Sequence, residues 1–163
     1  MSAQSIIQSL EKLVNLHTNL LEFSQEKTEI MKEGSIEKLQ SLLVKERKLI
    51  RLTEQAEEKR NKEVINWFAI NQLPADDTTV TKMLEFLRDE SDKTELEKTT
   101  TKLTEVITEL KQQEQLNQAL INQSMQFVQL SIDMLNPSIH SMNYGSKSDE
   151  STEVKRSVFD SKA

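Results

Sequence analysis

Apolar residues recur at three- and four-residue spacing along most of the chain, the period of a helix with one buried stripe. The spacing predicts four helices. The first, residues 5–32, carries Ile6, Ile7, Leu10, Leu13, Val14, Leu20, Leu21 and Met31, interrupted at His17 and Ser24. Ser5 and Gln8 stand in the spacing of a capping box at its start. Gly34 is the expected stop and Ser35 the next N-cap. The second helix, residues 36–72, runs through Leu39, Leu42, Leu49, Ala56, Val64 and Trp67. Glu46, Thr53, Arg60 and Glu63 fall on or near its seam, where polar residues fix register at some cost in stability. Leu73-Pro74 ends it, because a residue before proline disfavours the α region. A short helix over residues 79–90 holds Val80, Met83, Leu84 and Leu87. The last long helix is predicted over 94–135, with Thr94 and Glu97 as a capping box and Thr99 to Thr101 as its weakest turn. Asn136-Pro137 is its expected end, and the serine-rich residues 137–163 read as a flexible tail. The fold class is all-α: an elongated antiparallel hairpin or bundle of long helices.

Residues 116–135, LNQALINQSMQFVQLSIDML, depart from an ordinary surface helix. Their polar residues fall in one narrow strip, leaving roughly 220° of apolar or small surface where a stripe a little over about 100° wide suffices. The excess forms two ridges. Ile121, Val128 and Leu135 lie on one, and Leu116, Leu120, Phe127, Leu130 and Met134 on the other, with Asn117, Ser124 and Ser131 between. Counting backwards through Leu110, Ile107, Leu103 and Leu96 assigns the Ile121 ridge to the internal seam. The other ridge is then surplus, either covered by another helix of the chain or kept for a partner. Between Gln112 and Leu135 there is no Lys or Arg, and only Glu114 and Asp133 are acidic. A face that is always solvated usually carries more charge.

Composition narrows the function. The 163 residues are 36% hydrophobic, 4% aromatic and 29% charged, with two Gly and two Pro, which suits long helices and few turns. A formal charge of -6 disfavours nucleic acid as a partner. The absence of cysteine excludes thiolate chemistry and disulfides. His17 and His140 stand alone, the two glycines make no phosphate loop, and no Glu-x-x-His motif is present. The expectation is a non-enzymatic protein without metal or cofactor. No run approaches the ~18 apolar residues of a membrane span, and the N-terminus lacks a signal-peptide pattern, so the chain reads as cytoplasmic.

The order of elements, the motif Leu116-Asn117-x-x-Leu120-Ile121-x-x-Ser124, and a tail carrying Tyr144-Gly145 and ending Ser157-Val158-Phe159-Asp160-Ser161-Lys162-Ala163 resemble the FlgN-type flagellar export chaperones, Bacillus-like members in particular. The resemblance implies a cytosolic chaperone, monomeric or weakly dimeric. Its clients would be the hook-filament junction proteins FlgK and FlgL, delivered to the export gate protein FlhA. Carried over by position, it implies that residues 116–135 are the partner helix and that the tail around Tyr144 docks on the gate; the surplus ridge together with the polar members of the motif then makes Leu116, Asn117, Leu120, Ser124, Phe127, Leu130 and Met134 the candidate client-binding residues. The competing reading is a structural coiled-coil adaptor that forms a constitutive oligomer with its second ridge buried in itself.

Overall fold

The computed structural model describes residues 3–144, and the side chains of residues 3–136. Four helices follow in order: α1, Gln4–Glu33; α2, Ile36–Ile70; α3, Val80–Phe86; and α4, Glu90–Tyr144. The chain divides into two units, residues 1–122 and 123–163.

Local chemistry sets most boundaries. Gly34 adopts the left-handed conformation, φ 73°, and its N–H closes α1 on the carbonyls of Ile30 and Met31, a position glycine fills without steric cost. Ser35 and Thr79 cap α2 and α3, their hydroxyls accepting from the N–H groups of Lys38 and Lys82. Three expectations are corrected. Helix α1 begins at Gln4, its N-cap Ala3 has no side-chain bond, and Ser5 already lies in the first turn. Helix α4 begins at Glu90 rather than 94, because Asp89 Oδ1 accepts from the N–H groups of Ser91 and Asp92 at 2.9 and 3.0 Å, an N-cap earlier than the Thr94 box. Thr94 is then inside the helix, its hydroxyl bonded to the Glu90 carbonyl. Pro137 does not end α4, whose backbone continues to Tyr144. Proline removes one in-helix hydrogen bond, but the turns on either side retain theirs. Residues 137–144 of the expected tail are therefore helical, and 145–163 lie outside the described residues.

Partner positions give the directions. Ser9 bonds Glu63 and Lys27 pairs with Glu46, so α1 and α2 run antiparallel, as the sequence predicts for the hairpin. Between α1 and α4 the partners rise together: Ala3 N–H donates to Asp92, Ser24 to Glu114, and Thr28 bonds Asn117. Helices α1 and α4 are thus parallel, with the turn after α2 and the short α3 carrying the chain back.

The apolar core gathers at the start of α1. Ile6, Ile7 and Leu10 meet Val64, Trp67 and Phe68 of α2, Met83 of α3, and Leu96 of α4. Phe68 is the largest of the fully buried side chains. Its ring makes edge contacts with Trp67, 5.3 Å between centroids, and with Phe86, 6.2 Å. Such aromatic pairs add to simple area burial.

Candidate partner-binding site

The interface of α1 with α4 changes character along its length. On α4 the inward positions are Leu96, Thr99, Leu103, Val106, Leu110, Gln113, Asn117 and Leu120, a strict three-four alternation of buried and half-buried residues. Leu96 and Leu103 pack with the apolar core at the start of α1. Gln113 and Asn117 meet polar residues instead, and Asn117 is 1% exposed and Ser24 0%.

These polar groups satisfy one another. Asn117 Nδ2 donates to the Ser24 carbonyl at 2.9 Å and to Ser24 Oγ at 3.1 Å, while Asn117 Oδ1 meets the Thr28 hydroxyl. Gln113 Nε2 donates to Thr28 Oγ1 at 2.6 Å, and Ser24 Oγ to Glu114 Oε1 at 2.7 Å. Lys27 Nζ lies between Glu46, 2.7 Å away on α2, and Glu114, 3.1 Å away on α4. Burial alone pulls the lysine's pKa down. Its bonds and Coulombic attraction to Glu46 and Glu114 together outweigh that, and the net pKa lies above the ordinary value. Three helices are pinned in register by this cluster, since a one-residue slip leaves every member without its partner.

The cluster corrects the sequence-based seam. Ile107 and Ile121 lie off it, exposed, and the seam passes through Asn117 and Leu120. Apolarity pointed to Ile121 because the true seam position is an asparagine, whose place is set by the hydrogen bonds it donates to Ser24 and accepts from Thr28. Asn117 is accordingly committed to α1. Leu116 is exposed, and Leu120 is half-buried.

Helix α1 stops at Glu33. At the separation seen between Ala3 and Asp92, 89 residues, Glu33 comes level with Asn122 on α4.

In the second unit, residues 123–136 display apolar side chains almost all round. Phe127 is 71% exposed and Met134 70%, and Met125, Val128, Leu130, Ile132 and Leu135 are also exposed. Ser124 is exposed, and Ser131 is half-buried with its hydroxyl returned to the Phe127 carbonyl at 2.9 Å. The polar strip is self-paired, with Gln118 donating to Asn122 and Gln129 to Asp133. Four of the seven sequence-assigned residues, Ser124, Phe127, Leu130 and Met134, thus lie together on this unit. The sequence reading passed over Met125 and Ile132 and gave Val128 and Leu135 to the internal seam. Alternating steps of four and three from Ile121 reach all of them: Met125, Val128, Ile132 and Leu135. Tyr144 ends α4, and its side chain lies outside those described.

A groove of about 680 Å3 between α2 and α4 is lined by Leu10, His17, Thr53, Glu54, Leu103 and Ile107, among others. His17 there spends Nδ1 on the Leu13 carbonyl at 2.8 Å. Among the described residues no group of three His, Cys, Asp or Glu is arranged to hold a metal, and no helix is long and apolar enough to cross a membrane.

The family model described as FlgN protein matches residues 1–152. An uncharacterized protein of Bacillus subtilis (strain 168), YvyG, is 34% identical over 165 residues, covering 100% of both chains. No solved structure matches. The chain belongs to the FlgN family, a family of flagellar export chaperones rather than enzymes.

Proposed function

We propose that this chain is a cytosolic chaperone that binds the hook-filament junction proteins FlgK and FlgL through the exposed apolar surface of α4, keeps them unassembled and delivers them to the export gate protein FlhA. The observation that carries the reading is the run from Met125 to Leu135, in which seven large apolar side chains are exposed and Asp133 is the one charged residue. A contiguous apolar surface of this kind marks an interaction site. Phe127, Leu130 and Met134 form its centre in the reading, Leu116, Leu120 and Ser124 its near end, and Asn117 fixes where that end begins.

Magnitudes suit a client that must later be released. Burying five such side chains contributes about 8 to 15 kcal/mol at roughly 1.5 to 3 each. Association and ordering cost about 4 to 15. The difference corresponds to affinity nearer micromolar than picomolar. Phe127→Ala is expected to weaken FlgK or FlgL binding by more than about 1 kcal/mol in calorimetry, as aromatic anchors do, with the helix content unchanged. Equal affinity for both forms would refute the assignment.

Tyr144 is the proposed gate-docking residue, its ring and hydroxyl suiting an interface. Tyr144→Ala should reduce FlhA binding while FlgK binding stays within error; a parallel loss of both would place Tyr144 in the client site instead. The unbroken apolar series Ile121, Met125, Val128, Ile132 and Leu135 has coiled-coil spacing and favours a second reading, a constitutive oligomer. Mass in solution separates the two: a chaperone is a monomer or weak dimer without its client, an adaptor a stable oligomer at all concentrations.

A further inference from the structure

The exposed surface of α4 carries two complete stripes rather than one. Steps of seven from Asn117 and Leu120 give Ser124, Phe127, Ser131 and Met134, the same positions that face α1 earlier in the helix. One residue further round, Ile121, Met125, Val128, Ile132 and Leu135 repeat the three-four alternation without a polar member, and all five are exposed. Neighbouring positions on a helix lie about 100° apart, and one packed helix covers a stripe of about that width. A single partner helix therefore leaves one stripe in water.

We propose that the partner engages α4 with two helices side by side, a deepening that rests on the client-binding reading. The first follows the stripe that α1 occupies upstream. The interface already built there states its chemistry: Asn117 is met by Ser24 and Thr28, small hydroxyl residues that let the helices approach and exchange hydrogen bonds. A helix lying on Ser124 and Ser131 needs small or hydroxyl residues opposite them, with apolar residues opposite Phe127 and Met134. The second helix meets only aliphatic side chains and Met125, and is recognised by an apolar three-four seam alone. Neither stripe carries a charge, so recognition rests on packing and not on charge steering.

The natural chain contains no cysteine, so single-cysteine variants report one position each. Ser131→Cys and Ile132→Cys, each labelled with a benzophenone maleimide in the full chain, are photolysed with purified FlgL and the cross-linked peptides mapped. The proposal expects the two positions to reach two different helical segments of FlgL, and expects Ser131→Lys and Ile132→Lys each to weaken FlgL binding at least tenfold. Cross-links from both positions to one segment, or one lysine variant binding as tightly as the natural chain, would overturn the two-helix engagement and leave client binding standing. Cross-links from position 132 to a second copy of this chain in the absence of FlgL would also overturn it, by assigning that stripe to self-association. Undiminished binding by both lysine variants, with no cross-link to FlgL, would overturn the client-binding reading as well.

Discussion

Lys27→Ala is expected to destabilise the fold by about 3 to 5 kcal/mol, the usual cost of removing one partner from a buried ion pair. The lysine and Glu46 are each 8% exposed, and the substitution strands that carboxylate between helices. Stability as a whole is about 5 to 15 kcal/mol for a domain, so the loss is a large share of it. A triple variant, Lys27→Ala with Glu46→Gln and Glu114→Gln, should recover part of the loss, because it removes the stranded charges along with the lysine. The exposed pair of Lys32 with Glu29, 2.9 Å apart, is the control: Lys32→Ala should cost under about 1 kcal/mol. Chemical denaturation of the four proteins checks the series. The pH dependence has a definite sign. Because the folded pKa of Lys27 lies above its ordinary value, its contribution is fully present below the unfolded pKa of about 10.4 and is lost as pH rises through the folded value. Acidification does not remove the lysine's charge.

Phe68→Ala is expected to cost about 3 to 5 kcal/mol, and at 2 to 4 °C per kcal/mol to lower Tm by roughly 6 to 20 °C. The ring is 1% exposed and belongs to the cluster that draws on α1, α2, α3 and α4, so the truncation leaves a cavity in the core those helices share. The same truncation at Phe127, 71% exposed, should leave Tm nearly unchanged while weakening client binding. Thermal melts of the two variants therefore separate a residue that holds the fold from one that serves a partner. A similar fall in Tm for both would place Phe127 in the core.

The helices were legible because their signals are local. Gly34, Ser35, Thr79 and the apolar spacing of α1 and α2 act within a few residues, and the structure follows them. Asp89 was missed as a cap because Thr94 and Glu97 formed a second, later capping pattern. Pro137 misled because a local penalty was read as a stop. The partner surface was legible as an excess of apolar area, but the division of its ridges was not. That depends on which stripe α1 covers, and α1 chooses it through Ser24, Thr28 and Lys27, about 90 residues away in sequence. Spacing on one helix carries no record of such long-range hydrogen bonds.

The central claim is that residues 123–135 of α4 are the client surface. Amide hydrogen exchange along α4, with and without FlgL, tests it most directly. The account predicts rapid exchange over residues 123–135 in the chain alone, where the large apolar side chains are exposed, strong slowing there in the complex, and little change among residues 6–30 and 96–117. Slowing confined to the groove between α2 and α4, with residues 123–135 exchanging as before, would contradict it.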